Sequence, residues 1–429
     1  MYDGKDLSKD KPTTVLLPKG DMVYPLSQHI GAPAKPVVAV GDTVLAGQII
    51  GEAVGFVSAN VVCSVSGKVK AIEKRLMVSG AMCESIIVEN DGEFRCIEGM
   101  GEKRDYTKLT KQEIRQYVKD AGIVGMGGAG FPTHVKLTPK SDEAIDYVIV
   151  NGAECEPYLT SDYRMMLEES EKLVTGLKII LQLFEHAQGI ILIEDNKPDA
   201  IEKLSALVKD EKRITVKSAK TKYPQGAERQ IINVATGRKI NSSMLPADAG
   251  CVVNNVDTVI SVYMAVAEST PLIRRIITVT GDAIADPRNF SVRTGTAYPE
   301  LIEAAGGFKV TPEKVISGGP MMGMALFDLN IPVTKTSSAL LAFAKDEMAA
   351  MPTSPCIRCG RCVSVCPSRL VPQKLMEYAE NFENEGFVAL DGMECYECGT
   401  CTYVCPAGRR LTQAFKQTRR SILDERRRK

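Results

Sequence analysis

The chain has 429 residues, with 53 Lys plus Arg balanced by 53 Asp plus Glu, and 44% of it is apolar. Zero net charge excludes a protein that coats nucleic acid, which needs a basic surplus, and a charged fraction of 25% is that of an ordinary globular chain. No uncharged apolar run reaches the ~18 residues of a membrane span, and Asp3, Lys5, Asp6 and Asp10 interrupt any secretion signal, so neither a membrane-spanning nor an exported product is expected.

From Pro36 to Glu73 short β-branched runs are broken by glycines: Val37–Val40, Gly41-Asp42, Ile49-Ile50-Gly51, Val65-Ser66-Gly67. That cadence predicts a small β-sandwich or barrel. It resembles biotinyl and lipoyl carrier domains, which carry their group on a hairpin lysine. No lysine lies between Val37 and Gly67, so a structural or docking module is expected. From about Asp105 to Glu268 helical periodicity at Lys111–Ala121, Arg164–His186, Pro198–Lys209, Gln225–Ala235 and Asp257–Ala267 alternates with strand-like Tyr147–Val150, Gly189–Ile193 and Arg213–Val216. The alternation predicts an α/β layer with a parallel sheet. Ile276 to Ala325 reads as a smaller mixed unit and Thr334–Ser338 as a linker. The remainder is mainly helical, with a helix expected over Gln373–Asn381, and ends in a tail with nine basic residues from Arg409 to Lys429.

Thirteen cysteines are the outlier, and eight of them fall between Cys356 and Cys405. Cys356-x2-Cys359-x2-Cys362-x3-Cys366-Pro367 recurs 39 residues later as Cys395-x2-Cys398-x2-Cys401-x3-Cys405-Pro406. In this spacing three thiolates hold one cubane and the fourth crosses to the other. One [4Fe–4S] cluster is therefore expected on Cys356, Cys359, Cys362 and Cys405, and a second on Cys395, Cys398, Cys401 and Cys366. Paired zinc sites are the rival, but those join two short Cys-x2-Cys units, without four-cysteine runs ending in Pro. Cys63, Cys83, Cys96, Cys155 and Cys251 read as packed thiols.

Gly125-Met126-Gly127-Gly128-Ala129-Gly130-Phe131-Pro132 contains G-x-G-x-x-G in the wrong context for a Rossmann turn, since a helix precedes it. Its glycines still let backbone N–H groups approach a phosphate, with Lys136 as a cationic anchor. Gly125–Lys136 resembles the flavin loop of the NADH-oxidising subunit of respiratory complex I. Three further blocks, Asn151–Pro157, Tyr223–Glu228 and Val253–Thr258, resemble that family in the same order. The resemblance implies that Gly125, Gly127, Gly128, Ala129, Gly130, Phe131, Lys136, Asn151, Tyr223, Gly226, Asn254, Asn255 and Thr258 bind the cofactors. FMN falls to most of them, and Phe131 packs on the adenine of the nicotinamide nucleotide. Glu154, Glu156 and Glu228 would face that nucleotide as the catalytic side chains. Met126, Leu137, Ala153, Cys155 and Ala227 depart from the pattern, mostly in its nucleotide half.

Over the whole chain, Pro25–Pro33, Gly125–Lys136 with His134, and Asn151–Tyr163 resemble the RnfC family, a component of the Rnf ferredoxin:NAD oxidoreductase complex. The resemblance implies a multidomain α+β chain. Its expected parts are a barrel-sandwich domain over 1–104, an FMN and NAD(H) domain over 105–269, an SLBB-like β-grasp unit over 270–338, and a helical two-[4Fe–4S] ferredoxin-type domain over 339–429. It further implies a peripheral position on the cytoplasmic face of the cell membrane, in a complex that couples ferredoxin and NAD to Na⁺ or H⁺ translocation. Its partners there include a ferredoxin-accepting iron–sulfur subunit, and nucleic acid is not among them. The alternatives are a soluble flavin and iron–sulfur reductase such as a cobalamin reductase, or a cluster carrier without flavin.

Overall fold

The computed structural model describes residues 3–428; of the basic tail, Lys429 lies outside the described residues. At the centre stands a four-stranded parallel sheet in the order Ile214–Ala219, Gln188–Glu194, Tyr147–Gly152, Cys251–Asn255. Its inner strands are nearly continuous apolar runs because helices cover both faces. Val148, Val150, Ile191 and Ile193 meet Ile114, Leu173, Leu177 and Val259 on one side. Ile149, Ile190, Leu192 and Val253 meet Ile231 and Ile232 on the other, as the two-residue pleat requires.

The single helix expected over 164–186 is two, Ser161–Glu168 and Ser170–Leu181, because Glu169 leaves helical geometry (φ −120°, ψ 32°). Its carboxylate is held there by Arg274 at 3.1 Å and Lys172 at 3.1 Å. The strand Cys251–Asn255 was not expected from periodicity, since two of its five residues are asparagines.

The N-terminal region is a sandwich of two antiparallel sheets. One runs Met22–Pro25, Met82–Asn90, Gly67–Leu76, Thr43–Val44, and the other Lys35–Pro36, Ile49–Glu52, Val61–Val62. Met22, Tyr24, Ile50, Val61, Ile86 and Val88 fill the space between them.

A six-stranded mixed sheet forms the β-grasp unit, in the order Thr14–Leu16, Arg288–Arg293, Arg274–Thr280, Ala339–Phe343, Lys314–Ser317, Met324–Ala325. Two sequence expectations need correction here. Ala339–Phe343 lies inside this sheet, paired to Arg274–Thr280 and Lys314–Ser317, so a boundary after residue 338 cuts the unit. Thr334–Ser338 is no linker either: Thr334, Lys335 and Ser337 are buried, because the residues that lead into a central strand are buried with it. Likewise, Thr14–Leu16 departs from the N-terminal sandwich and pairs in parallel with Arg288–Arg293.

The last segment is helical. Pro372–Glu380, Asn384–Ala389 and Leu411–Arg428 close around Leu375, Phe387, Leu411, Phe415 and Ile422.

Lys335 joins three of these parts. Its buried Nζ donates to Asn60 O of the sandwich and, at 2.7 Å, to Gly122 O ahead of the glycine loop. Burial without a carboxylate pushes this ammonium down to about 7. A folded-state value below the unfolded one means that the unfolded chain binds the extra proton between pH 7 and 10.5. Stability therefore rises with pH across that window. Wild type should gain on Lys335→Met by up to ~1.4 kcal/mol per pH unit from pH 7 to 10. Denaturant unfolding of both proteins at several pH values checks this, and parallel pH profiles would contradict it.

Candidate functional site

The carboxyl ends of the parallel strands form the natural crevice of such a sheet, and four segments gather there. The glycine loop is pinned at its neck: Gly125 N–H donates to Phe131 O at 2.8 Å, and Thr133 N–H donates to Ile123 O at 3.0 Å. Gly127, Gly128 and Ala129 lie above that neck, and a Cβ on Gly128 would meet nothing within 4 Å. Thr258 is fully buried, and its hydroxyl accepts the Met126 N–H at 3.0 Å. It holds the root of the loop. Met126, where the flavin pattern has Arg, is also buried and lies against the Arg275 guanidinium, itself paired with Asp257.

Around the loop stand the other expected side chains. Lys136 Nζ donates to Val253 O at 3.1 Å and pairs with Glu228 at 3.4 Å. Asn151 Nδ2 donates to Gly226 O at 2.8 Å. Asn255 Nδ2 donates to Asp162 at 2.6 Å, while its Oδ1 accepts the Asp257 N–H and caps the helix Val256–Ala267. Asn254 is 2% exposed, and neither atom of its amide has a hydrogen-bond partner. Buried polar groups are paired in native structures, so this amide lacks the ligand that would satisfy it. Glycines open to a phosphate, a cation beside them and an orphaned amide at the strand ends fit the phosphate-bearing end of FMN.

The acidic block is not a solvated surface. Glu154 (φ 44°) is 9% exposed, and its Oε1 accepts the Asp162 N–H at 2.7 Å. Glu156 accepts the N–H groups of Met321 at 3.2 Å and Met322 at 2.9 Å, and the Tyr223 hydroxyl at 3.5 Å. Burial outweighs those donors and holds its carboxyl up at about 7. The approach requires glycine in the β-grasp loop, because a Cβ on Gly319 would sit 2.2 Å from Glu156 Oε2. Sequence reasoning missed the residues that anchor this block. Lys5 Nζ donates to the carbonyls of Glu154 (2.9 Å), Glu156 (3.1 Å) and Leu159, and pairs with Glu154 at 3.6 Å. From the other side, buried Lys197 donates to Ala153 O at 2.7 Å. Neither lysine belongs to a motif, so only the fold reveals them. Cys155, whose thiol burial pushes up to about 12, accepts the Gly226 N–H at 3.3 Å.

The cysteine repeat is also a repeat of backbone geometry. Arg358 and Glu397, Gly360 and Gly399, and Arg369 and Gly408 all take positive φ at matching positions. Arg358 N–H and Glu397 N–H donate to the Sγ of Cys356 and Cys395, at 3.4 and 3.3 Å. Cys366, Cys395, Cys398 and Cys401 line one small cavity, so the fourth cysteine of the first run joins the second. Reciprocally, Ser354 N–H donates to Ala407 O at 3.0 Å, which lays the Cys356 loop beside Cys405. Among the described residues no three His, Cys, Asp or Glu side chains close on a single-ion site. Cubane thiolates each bind a different iron around a shared space, and the cavity lined by Cys366, Cys395, Cys398 and Cys401 fits that demand.

The first turn of the helix Glu228–Thr236 joins the two regions. Next to Glu228, Arg229 pairs with Glu394 at 2.6 Å, and Gln230 Nε2 donates to Tyr396 at 3.3 Å and to Pro367 O at 3.4 Å. Tyr223 stands within electrostatic reach of both Glu156 and Cys398. Lys5→Met should strand three loop carbonyls and the Glu154 carboxylate at a cost of about 3 kcal/mol. Hydrogen exchange would show it as faster exchange of amides 154–162; unchanged protection there would remove Lys5 from this account.

The comparisons with known proteins follow the same division. Family models match in chain order: RnfC barrel sandwich hybrid domain at residues 1–93, Nuo51 FMN-binding domain at 118–264, SLBB domain at 276–325 and 4Fe-4S dicluster domain at 355–409. The chain is 47% identical to the C subunit of a proton-translocating ferredoxin:NAD(+) oxidoreductase complex from Clostridium ljungdahlii, over 87% of this chain and 81% of that one. It is 45% identical to the C subunit of the Na(+)-translocating complex of Acetobacterium woodii, over 95% and 92%. The C subunit of an ion-translocating oxidoreductase complex from Pseudomonas aeruginosa is 41% identical over 86% of this chain and 48% of its own. Among solved structures, an NAD+-reducing [NiFe]-hydrogenase in the air-oxidized state shares the fold, with a TM-score of 0.50 at 20% identity over 74% of this chain and 55% of that one. Among the described residues no helix is long and apolar enough to cross a membrane.

Proposed function

We infer the function from the family to which this chain belongs, the RnfC proteins of the ion-translocating ferredoxin:NAD(+) oxidoreductase complexes: it is a peripheral electron-transfer subunit, with a flavin domain and a 4Fe-4S dicluster domain. The finer reading is that the crevice exchanges electrons with NAD(H) and that the eight cysteines hold two clusters. A flavin supplies the step between the electron pair of a nicotinamide and the single electrons of a cubane.

The residues divide that work. Gly127, Gly128, Lys136 and the free Asn254 amide hold the flavin, and Thr258 keeps its loop in place. Glu154 and Glu156, fixed by Lys5 and by the Met321–Met322 backbone, shape the wall against which a nicotinamide lies. Cys366, Cys395, Cys398 and Cys401 form the inner cluster site, beside Tyr223 and the Glu228–Thr236 helix. The outer site, Cys356, Cys359, Cys362 and Cys405, lies beyond it. The observation that carries this reading is the contact of a single helical turn with both the flavin crevice and the inner cysteine hairpin. Partner subunits supply the membrane passage. The cytoplasmic face follows from where NAD(H) is found.

Composition of the purified holoprotein tests it. Wild type should hold one flavin and about eight irons per chain. Gly128→Val should lose flavin while keeping its iron, and Cys359→Ser should lose about half the iron while keeping flavin. Equal loss of both cofactors in either variant would contradict the division of residues.

A further inference from the structure

The loop 53–60 of the N-terminal sandwich carries apolar side chains into solvent. Val54 is 48% and Phe56 61% exposed, with Ile30 on the adjacent loop at 48%. The backbone of these loops is nonetheless fixed. Ala53 N–H donates to Asn60 Oδ1 at 2.9 Å, Val54 N–H to Ser58 Oγ at 3.0 Å and Ala59 N–H to His29 Nε2 at 3.1 Å. Val57 O accepts the Ala32 N–H at 3.0 Å. Both loops are also tied to the glycine loop and the helix that follows it. His134 Nε2 donates to Phe56 O at 3.2 Å, and the two rings meet edge to face with centroids 6.3 Å apart. Ile30 N–H donates to Gly130 O at 3.4 Å, and a Cβ on Gly130 would lie 3.2 Å from His29 Cα. Phe131, half-buried, stands between Gly130 and His134 in the chain. Among the described residues the exposed aromatic rings are Phe56, Phe327, Phe382 and Tyr403. Phe327 belongs to the β-grasp unit and the last two to the cysteine domain, so Phe56 is the exposed ring that adjoins the glycine loop.

Resting on the proposed function, we propose that Phe56 is a binding residue for the adenine ring of the nicotinamide nucleotide, offering the base a second aromatic face beside Phe131. The hydrogen bonds that fix residues 53–60 are made before any ligand arrives, so little ordering is left to oppose binding. A base stacks on such a ring through its face, without needing a hydrogen-bonding edge. The loops suit the base and not the pyrophosphate, because neither 28–34 nor 53–60 contains an Asp, Glu, Lys or Arg. A protein partner needs a wider patch with a polar rim, whereas three apolar side chains on two uncharged loops suit a single base. Continuity with the glycine loop points the same way. The N-terminal sandwich, which resembles a carrier domain without its lysine, thereby closes one side of the nucleotide site.

The test compares NADH with reduced nicotinamide mononucleotide, which lacks the adenosine half, as reductants of the flavin in the holoprotein. Wild type, Phe56→Ala, Phe56→Tyr and, as a control on another unit, Phe327→Ala are measured, and flavin content confirms that each is loaded. Phe56→Ala should raise the half-saturating NADH concentration about tenfold, the loss of one base–aromatic stack, with the limiting rate unchanged. It should weaken equilibrium binding of ADP-ribose by the same factor. Phe56→Tyr, which keeps a ring, and Phe327→Ala should behave as wild type, and the mononucleotide should not distinguish the four proteins. Wild-type affinity of Phe56→Ala for NADH and ADP-ribose would overturn the proposal. An equal loss with the mononucleotide would also overturn it, because Phe56 would then act through the flavin loop. So would a Phe56→Ala protein that binds NADH normally but no longer joins the other subunits, which would put the patch at a protein interface. Wild-type flavin that neither nucleotide bleaches would refute the nucleotide reading itself, and this proposal with it.

Discussion

The candidate flavin crevice and the cysteine hairpin meet at the first turn of the Glu228–Thr236 helix. Glu228, Arg229 and Gln230 are consecutive, and they reach respectively the Lys136 anchor of the glycine loop, Glu394 of the cysteine hairpin, and Tyr396 with Pro367. A helix places successive side chains about 100° apart, so one turn can touch two structures that are distant in sequence. Arg229 also lies over the Tyr396 ring, at 5.0 Å from its centroid. The proposed flavin site and the inner cysteine set therefore share one rigid element with no flexible tether between them.

The second organising feature is charge buried where the sequence looks merely acidic. Glu154, Glu156 and Asp162 crowd one loop, and burial together with mutual repulsion raises the Asp162 carboxyl. Lys5 pairs with Glu154, while Lys197 and Arg275, paired with Glu194 and Asp257, come from other parts of the chain to within electrostatic reach of Glu154 and Asp162. A group of charges this tightly packed costs heavily if any partner is removed, which explains why the N-terminal segment, the β-grasp strands and the parallel sheet meet at this point. The N-terminal sandwich, lacking the lysine of a carrier domain, contributes instead the carbonyl of Asn60 that receives Lys335.

Much of this was legible in the sequence, and particular residues show why. The spacing alone implies a crossed cysteine pairing, and in the fold Cys366 lines one cavity with Cys395, Cys398 and Cys401. The parallel sheet follows from runs such as Ile190–Ile193. The glycine loop, the asparagines at 254–255 and Lys136 gather in one crevice as the ordered blocks implied. What could not be read depends on long-range packing. Ala339–Phe343 joins a sheet whose other strands begin as far back as Thr14. Lys5 and Lys197 carry no local signal, and Glu156, expected to face a nucleotide, reaches the backbone of Met321 and Met322 because a glycine loop from another unit closes on it.

The central claim is that NAD(H), the glycine-loop crevice and both cysteine sets form one continuous route. An anaerobic titration of the holoprotein with NADH, following flavin absorbance and cluster EPR together, tests it most directly. The account predicts that flavin bleaching and the signals of both clusters develop on substoichiometric NADH. Clusters that dithionite reduces but NADH leaves oxidised would contradict it.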